Sequence, residues 1–265
     1  MIPDGLDATV VLLRHGESAW IAEGRFQGQG DSPLTALGRR QAEAAAARLA
    51  DPRRPPALPI PGGPPAGIVH SPLARTAETA RIVAAALGSA RPGANVTPRA
   101  DPGLLEISQG EWDGRLGSEI AARWANVIAG WREDPLATWA PGGESLPVVD
   151  ARVRAMLEPV LGALARGRRP GSRSRPQVLG YSPAEGSVPW TLLVGHDGVF
   201  KVVLLALLDL PLARYWTFPF ALAGLSVVEI QGGRGRLRAH NLVDHLAPLE
   251  ADGARHALER PSGAL

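Results

Sequence analysis

The chain has 265 residues, of which 45% are hydrophobic and 20% charged, which is typical of a globular protein with a sizeable core. The formal net charge of +2 does not favour nucleic acid or an anionic membrane as a partner. The absence of cysteine excludes disulfides, thiolate metal sites and a cysteine nucleophile. The amino terminus is not typical of a signal peptide, and the longest apolar run, 202–208, is too short to span a bilayer, so we expect a cytoplasmic protein.

The first elements follow a pattern of strand, loop and helix. Residues 9–13 form an apolar run without polar alternation, which predicts a strand buried on both faces of a parallel sheet. A glycine-rich loop follows, and Thr35 then caps an alanine-rich helix that runs to about residue 49. The proline-rich segment 51–67 predicts a stiff surface connection.

The same pattern then repeats. Ile68 and Val69 predict a second strand, followed by a helix that begins at Ser71-Pro72 and ends at Gly88, with Arg75 near its start. The remaining predictions are an irregular segment (101–117), helices (118–131, about 146–164 and 199–208), a third buried strand (190–194) and two strands paired as a hairpin or as neighbours at a sheet edge (225–230 and 237–241).

Two segments of the chain predict no regular structure. The Arg-rich segment 166–189 is interpreted as a mobile insertion in the form of a solvated charged loop. Residues 247–265 have weak patterning and are expected to form a partly helical or flexible tail. We therefore expect a single domain over residues 1–246.

Basic side chains follow three of the predicted strands. Arg14 and His15 come after the first strand, Arg75 lies one turn into the helix after the second, and His196 follows the third. Since residues beyond the carboxyl ends of parallel strands meet in one crevice, these groups predict an anion site. Guanidinium groups and the N–H groups of a helix amino end match phosphate oxygens, so a phosphoryl group is the expected ligand.

The same crevice contains residues suited to phosphoryl transfer. A neutral imidazole forms covalent intermediates, and nearby arginines disfavour its protonated form, so His15 is the predicted nucleophile. Glu106 lies between the apolar residues Leu105 and Ile107, an environment that raises a carboxyl pKa. Glu106 is therefore the predicted acid for the leaving alkoxide, and in the second half of the reaction it would activate water.

Each of these residues also has an ordinary alternative interpretation. Arg14-His15-Gly16-Glu17 alone is four common residues at a strand end. His196 alone is typical of a buried or turn histidine, and Glu106 alone of a surface carboxylate. Only their joint placement after successive strands favours a functional site.

Other conspicuous side chains have separate interpretations. Trp20 and Trp112 lie in loops expected to border the site, where they could form an apolar wall for the organic part of a substrate. The remaining histidines show no spacing typical of a metal site: His70, His240, His245 and His256.

The sequence blocks around these residues resemble the histidine phosphatase superfamily, also called the phosphoglycerate mutase-like family. The resemblance covers most of the chain and rests on five blocks: Leu12-Leu13-Arg14-His15-Gly16-Glu17-Ser18, continued by Arg25-Phe26-Gln27-Gly28, Asp31-Ser32-Pro33-Leu34-Thr35 and Gly38; Ser71-Pro72-Leu73-Ala74-Arg75-Thr76-Ala77-Glu78-Thr79-Ala80; Leu105-Glu106-Ile107 with Gly110-Glu111-Trp112-Asp113-Gly114; Gly142-Gly143-Glu144-Ser145; and Val194-Gly195-His196-Asp197-Gly198-Val199.

This resemblance implies a fold and a set of roles. The fold is α/β, a three-layer α/β/α sandwich with a mainly parallel central sheet and a helical insertion that caps the site. His15 is the implied phosphorylated nucleophile, Arg14, Arg75 and His196 the phosphate pocket, and Glu106 the proton donor. No metal and no cofactor are implied.

One departure from the family pattern affects the loop of residues 14–33, here called the phosphate loop. Many members have an asparagine that contacts phosphate at the position of Ile21, and isoleucine cannot donate that hydrogen bond. Gln27 or the backbone N–H of Gly28 is expected to substitute. Arg25, in the same block, is a further predicted substrate-binding residue.

The leading hypothesis is a metal-independent phosphatase that hydrolyses phosphate monoesters of small metabolites. A mutase, in which the phosphohistidine returns its phosphate to the reoriented intermediate, is the alternative, although the lysine-containing and Tyr-Gly-Gly segment of cofactor-dependent mutases is missing. A noncatalytic phospholigand-binding protein is a third interpretation, which the intact set of predicted catalytic residues disfavours. The apolar hairpin region would suit a homodimer.

Overall fold

The computed structural model describes residues 1–90, 96–166 and 188–249. Its strands are β1 (Ala8–Arg14), β2 (Gly67–His70), β3 (Arg99–Ala100), β4 (Trp190–Gly195), β5 (Leu225–Gln231) and β6 (Arg234–Leu242). Its α-helices are α1 (Ala19–Ala22), α2 (Ala36–Ala50), α3 (Ala74–Ala90), α4 (Gly117–Glu133), α5 (Leu146–Arg166), α6 (Asp197–Leu208) and α7 (Ala247–Leu249). Short 3-10 helices cover Pro102–Leu104, Gly110–Trp112, Leu212–Thr217 and Asp244–Leu246.

The strands form one six-stranded sheet in the order β3-β2-β4-β1-β5-β6. The pairs β3–β2, β2–β4 and β4–β1 are parallel, whereas β5 runs antiparallel to both β1 and β6. The carboxyl ends of β1, β2, β3 and β4 therefore lie along one edge of the sheet. The mainly parallel sheet is confirmed.

Helices cover both faces of the sheet. Along β1 every residue is buried, with Val10 and Leu12 in a core cluster shared with α4, α5 and α6, and Val11 and Leu13 in a second cluster shared with α2 and α3. Adjacent residues of a strand point to opposite faces, so a run of apolar residues without alternation is what a sheet covered on both sides requires. The three-layer α/β/α arrangement is confirmed.

Helix α3 begins and ends later than predicted. Its first residue is Ala74 rather than Ser71, and the helix continues past Gly88 to Ala90. The carboxylate of Asp31, in the loop after β1, accepts a hydrogen bond from the backbone N–H of Ala74 at 2.7 Å. This cap comes from a distant segment, so the local sequence does not reveal where the helix begins.

Helix α6 begins two residues earlier than predicted, at Asp197 rather than Val199. Its first free N–H groups are again bound from elsewhere, in this case by the Glu106 carboxylate. Strand β3 was not predicted because its two residues are exposed and have no apolar pattern. The hairpin of β5 and β6 is confirmed, with β6 at the edge of the sheet.

The proline-rich connection behaves partly as predicted. Residues 51–66, all of which the structure describes, form no helix or strand, but Leu58 and Ile60 are buried in the cluster under α2 and α3. The connection is therefore anchored to the core at these two side chains.

Two predictions fall largely outside the described residues. The Arg-rich segment 166–189 coincides with the undescribed residues 167–187, and of the predicted tail only Ala247–Leu249 is described. The single domain over 1–246 stays a prediction. In the described parts of the chain, no helix combines the length and apolarity needed to cross a membrane.

Candidate active site

The predicted catalytic side chains meet at the carboxyl edge of the parallel strands. Arg14 is the last residue of β1, His15 and His196 directly follow β1 and β4, and Arg75 lies in the first turn of α3 after β2. Glu106 follows β3 and a short 3-10 helix. Together with two further residues they line a pocket of about 220 Å³, part of which is open to solvent: Arg14, His15, Ile21, Gln27, Arg75, Glu106 and His196.

His15 is buried and has a defined tautomer. Its Nδ1 lies 2.6 Å from the carbonyl oxygen of Gly16. Because a carbonyl only accepts, Nδ1 carries the proton and Nε2 keeps its lone pair. Burial, together with the charges of Arg75 and Arg14, holds the pKa of His15 well below 6.5, so the imidazole is neutral at neutral pH.

The loop that carries His15 packs tightly against α2. A Cβ atom at Gly16 would lie 2.1 Å from the carbonyl oxygen of Gly38, and one at Gly38 would lie 2.0 Å from that of Glu17. Only residues without side chains allow the loop and the first turn of α2 to approach this closely. The two glycines therefore fix the position of the His15 backbone.

Arg75 is fully buried, and three of its nitrogens are held by other residues. Nη1 and Nη2 donate to the carbonyl oxygens of Gly30 and Gly28 at 2.9 and 2.8 Å, and Nε donates to Nδ1 of His196 at 3.2 Å. Burial lowers the pKa of Arg75 to about 10, which leaves the guanidinium charged at neutral pH. Arg75 is thus a rigid positive group in the pocket wall.

His196 is held in the opposite tautomer to His15. Since Nδ1 accepts from Arg75, the proton lies on Nε2. That Nε2 is fully buried and has no hydrogen-bond partner in the described parts of the chain, and the two imidazole rings lie 5.0 Å apart. His196 therefore presents an N–H donor beside the lone pair of His15.

Arg14 contributes a second positive charge with one unused donor. Its Nη1 donates to the carbonyl oxygen of Phe220 at 2.5 Å. Its Nε is buried without a hydrogen-bond partner among residues 1–90, 96–166 and 188–249. A buried donor of this kind is costly unless a ligand satisfies it, and a phosphoryl oxygen would.

Glu106 is buried at the amino end of α6. Its Oε1 accepts from the backbone N–H groups of Ile107 and Val199 at 2.9 and 2.8 Å, and its Oε2 accepts from that of Gly198 at 3.0 Å. Burial and the negative charge of Asp197 raise the pKa of Glu106, while these three hydrogen bonds oppose the rise. The net shift favours a carboxyl group that can hold a proton.

A carboxylate behind the phosphate loop organises Arg75. The two oxygens of Asp113 accept from the N–H groups of Gly28 and Gly30, each at 2.8 Å. The carbonyls of the same two glycines bind Arg75. The N–H of Gly28 is thus engaged by Asp113, and its predicted contact with phosphate would require it to leave that carboxylate.

Gln27 and Ile21 both line the pocket. The Gln27 amide lies 2.6 Å from Oγ of Ser18. When the amide nitrogen donates to Ser18, its oxygen accepts from Nε and Nη1 of Arg75 at 3.1 and 2.8 Å. In that orientation Gln27 positions Arg75, and a direct contact with phosphate stays a prediction.

Two other predicted positions lie elsewhere. Arg25 does not line the pocket: its Nε pairs with Glu23 at 2.7 Å and its Nη1 donates to the carbonyl of Gly114 at 2.9 Å. Trp112 does not form a wall of the site, because its ring is fully buried in the hydrophobic core. Trp20 is half-buried over Gly30, next to the phosphate loop.

Sequence reasoning missed two residues that hold the acid in place. Arg152 on α5 donates to the carbonyl oxygens of Leu105 and Glu106 at 2.8 and 3.2 Å, and it pairs with Glu144. Nothing in the helical pattern of α5 distinguishes this arginine from Arg154, which pairs on the helix surface. Glu144 appeared only as part of a family block.

In the described ranges there is no group of three or more His, Asp or Glu side chains arranged to hold a metal ion. The guanidinium groups of Arg75 and Arg14 both lower the pKa of His15, which places two positive charges in the pocket. The pocket therefore suits an anion.

Sequence comparison places these residues in a known family. The sequence matches the histidine phosphatase superfamily (branch 1) over residues 10–169 and 172–243. It is 36% identical over 240 residues to a glucosyl-3-phosphoglycerate phosphatase of Mycobacterium tuberculosis (strain CDC 1551 / Oshkosh), a match that covers 90% of this chain and 86% of that protein. It is also 36% identical over 190 residues to a probable phosphoglycerate mutase of Enterobacter sp. (strain 638), covering 69% and 74% of the two chains.

Structural comparison gives the same result. A mycobacterial glucosyl-3-phosphoglycerate phosphatase, solved in complex with VO3, superposes with a TM-score of 0.67 at 28% sequence identity, covering 89% of this chain and all of that chain (100%). The prediction of a phosphomonoesterase is confirmed by these matches. The chain belongs to branch 1 of the histidine phosphatase superfamily.

Proposed function

We propose that this phosphatase hydrolyses phosphate monoesters of small metabolites through a covalent phosphohistidine on His15, without a metal ion. The observation that carries the proposal is the hydrogen bond from Nδ1 of His15 to the Gly16 carbonyl, 2.6 Å long, inside a pocket lined by Arg14 and Arg75. It leaves Nε2 unprotonated, which is the state that a nitrogen nucleophile requires.

In the first step, the lone pair of His15 Nε2 attacks phosphorus and the ester P–O bond breaks. Arg14, Arg75 and the Nε2–H of His196 stabilise the negative charge on the transferring oxygens. The proton on Glu106 passes to the leaving oxygen, so that an alcohol departs rather than an alkoxide. The products of this step are the alcohol, phosphohistidine and the Glu106 carboxylate.

In the second step, a water molecule attacks the phosphohistidine. The Glu106 carboxylate takes a proton from that water, the P–N bond breaks, and the electron pair returns to Nε2 of His15. Inorganic phosphate leaves, and both residues regain their starting protonation states. One acid therefore serves both halves of the reaction.

Positive side chains supply the charge stabilisation that metal ions provide in other phosphoryl-transfer enzymes. Arg14 and Arg75 are fixed in the pocket by carbonyl acceptors, and Arg75 is charged at neutral pH. A metal cation in the same pocket would be repelled by both guanidinium groups. Turnover that persists after dialysis against EDTA is the expected result.

The substrate class follows from the size of the site and from the relatives. The small pocket suits a phosphoryl group with its organic part outside, and the name of the glucosyl-3-phosphoglycerate phosphatase favours small phosphorylated metabolites. Glucosyl-3-phosphoglycerate, which names one relative, is the first compound to test, within a panel of phosphosugars, phosphoglycerates and a generic aryl phosphate.

The proposal is tested by trapping the phosphoenzyme. Wild-type protein is mixed with substrate and quenched, and phosphate on histidine is measured by mass spectrometry and by its acid lability. Label on His15, absent in His15→Ala, is the expected result. Binding of phosphate without turnover of any ester would instead indicate a noncatalytic phospholigand-binding protein.

His70→Ala is a matched control for this experiment. His70 is the last residue of the parallel strand β2, and its Nδ1 lies 2.7 Å from the Ser71 carbonyl oxygen, but it does not line the pocket. We expect His70→Ala to keep both the label and turnover. If the label were lost in both variants, its loss in His15→Ala could not be assigned to the position of His15 in the pocket.

A phosphoglycerate mutase is the second candidate, favoured by the relative of that name. Both activities pass through the same phosphohistidine, so they separate only in the second step. With 3-phosphoglycerate and a bisphosphoglycerate primer, a phosphatase releases inorganic phosphate and a mutase forms 2-phosphoglycerate. We expect phosphate.

A further inference from the structure

A buried ion pair lies behind the wall of the pocket. Lys201, the single lysine of the sequence, places Nζ 2.8 Å from Oδ2 of Asp197, and each side chain is only 5% exposed. The ammonium group also lies 5.1 and 4.9 Å from the ring centres of Tyr215 and Trp216. Burying two charges is expensive, so such a pair usually needs further partners to be tolerated.

Asp197 connects this pair to the pocket at two points. Its Oδ1 accepts from the backbone N–H of Phe220 at 3.0 Å, and the carbonyl of Phe220 is the acceptor for Arg14. Asp197 also precedes Gly198, whose N–H binds Oε2 of Glu106. One carboxylate thus contacts the residue that holds Arg14 and places a negative charge beside the proposed acid.

We propose that Asp197 and Lys201 form a positioning unit that sets the protonation of Glu106, in which the Asp197 carboxylate favours the protonated acid and Lys201 limits that effect. This inference rests on the proposed function, because it concerns the acid of that reaction. Neither residue lines the pocket, so neither is expected to touch the substrate.

Other charged and titratable groups around Glu106 act alongside this unit. Arg75 on α3 favours the carboxylate form, and its interaction with Glu106 is among the influences that keep the guanidinium charged. Tyr215 faces both Asp197 and Glu106, and its raised pKa keeps it neutral. The other groups of the pocket are Arg14, His15 and His196, and Arg152 binds the Glu106 carbonyl from α5.

Of these groups, Asp197 is the negative side chain that acts on Glu106 directly. Burial is the larger cause of the raised pKa of Glu106, and the charge of Asp197 raises this pKa further. Lys201 lies one turn further along α6 and pairs with Asp197, so its positive charge offsets part of the effect of that carboxylate on Glu106.

The sign of each charge provides the test. Asp197→Asn keeps an oxygen for the Phe220 N–H but removes the negative charge, which favours the Glu106 carboxylate. Lys201→Gln keeps a donor for Asp197 but leaves its negative charge uncompensated, which favours the protonated acid. The double variant replaces the ion pair with a neutral amide pair and guards against unfolding of either single variant.

The measurement is the pH dependence of kcat for an alkyl phosphate, whose poor leaving group needs the proton of Glu106. Activity falls as pH rises through the pKa of Glu106, and this falling limb should lie at highest pH in Lys201→Gln, followed by the wild type, the double variant and Asp197→Asn. We expect Asp197→Asn to move the limb by about one pH unit. The proposal would be overturned if the limb did not shift in Asp197→Asn, or if it shifted in the same direction in both single variants. Loosened packing alone would not shift the limb in opposite directions in the two variants.

A second readout does not depend on turnover. The Glu106 carboxyl is followed by 13C NMR as a function of pH, with its signal assigned by its loss in Glu106→Gln. The same order of midpoints is expected among the four proteins. A wild type without phosphatase activity would contradict the proposed function, whereas equal NMR midpoints in an active enzyme would contradict this inference alone.

Discussion

The guanidinium of Arg152 binds the carboxylate of Glu144 through two hydrogen bonds, Nε to Oε1 and Nη2 to Oε2, each 3.0 Å long. The Nη1 of Arg152 donates to the carbonyl oxygens of Gly103 and Leu105, and Nη2 donates to that of Glu106. Fork-like pairing of this kind fixes both partners in orientation. The backbone of the acid is therefore held by a side chain of α5.

Arg152→Met is expected to displace Glu106, because it removes the hydrogen bond to the Glu106 carbonyl oxygen. Loss of the donors to three carbonyls should lower the free energy of unfolding by about 1–3 kcal/mol. It should also reduce kcat for a poor leaving group by about tenfold to a hundredfold, because small displacements of a catalytic group are costly. Urea unfolding and steady-state kinetics on an alkyl phosphate measure the two effects.

Arg154→Met is the matched control for this substitution. Arg154 lies on the same helix and pairs with Asp150 at 2.8 Å, but its side chain is exposed and, within the described part of the chain, donates no hydrogen bond to residues 103–106. The expected change in unfolding free energy is within about 0.5 kcal/mol, with kcat unchanged. A similar loss of kcat in both variants would show that Arg152 acts through the general stability of α5.

The activity should depend on pH in a window set by two opposed shifts. The reaction requires neutral His15 and protonated Glu106, and with ordinary pKa values this combination would be rare, because glutamic acid loses its proton before histidinium does. Burial lowers the pKa of His15 well below 6.5 and raises that of Glu106 above 4.5. Both shifts enlarge the population of the reactive state.

The profile of kcat/KM for an alkyl phosphate should therefore rise through the pKa of His15 and fall through that of Glu106. An aryl phosphate, whose leaving group needs no proton, should lose only the falling limb. Glu106→Gln should slow the alkyl ester more than the aryl ester. Equal slowing of both esters, or a falling limb that survives in this variant, would remove Glu106 from the acid role.

Much of this architecture follows from local pattern. The apolar run of β1, buried on both faces, predicts the covered sheet, and the positions after the strands predict the residues of the pocket. The starts of α3 and α6 were not predicted, because their caps, Asp31 and Glu106, come from loops far away in sequence. Local sequence patterns predict the secondary structure of a segment, but they do not reveal contacts that a residue makes with a segment distant in sequence.

The same limit explains where the observed pocket differs from the predicted one. Arg25 belongs to the sequence block that carries Gln27, yet neighbours along a loop can point to different sides, and Arg25 turns to Glu23. Arg152 shows the converse: it belongs to no recognised pattern, and only the packing of α5 beside Leu105 and Glu106 gives it a role.

Ile21→Asn should tighten the binding of inorganic phosphate. Ile21 lines the pocket and offers no donor, whereas an asparagine amide there would add a hydrogen bond to a charged ligand. A bond of this kind corresponds to roughly tenfold in affinity. The inhibition constant of phosphate against ester hydrolysis is the measurement, and Ile21→Val, which changes size without adding a donor, is the control; tightening in both variants would attribute the effect to space alone.

Gly198→Ala should damage catalysis through a single methyl group. A Cβ at this position would lie 2.7 Å from Oε1 of Glu106 and 3.0 Å from Oη of Tyr215, so the carboxyl group would have to move away from the amino end of α6. We expect kcat for an alkyl phosphate to fall by about a hundredfold, and for an aryl phosphate by less. Steady-state kinetics on the two esters provides the comparison.

Gly162→Ala is the matched control, because Gly162 lies inside α5. Among the described residues, a Cβ there would meet only Nη1 of Arg166, at an ordinary 3.5 Å. This substitution should leave kcat unchanged and raise the free energy of unfolding by about 0.5–1 kcal/mol, since alanine favours a helix over glycine. If Gly198→Ala slowed both esters equally, the methyl group would be acting on the phosphate pocket as a whole, and the contact between Gly198 and Glu106 would not be what positions the acid.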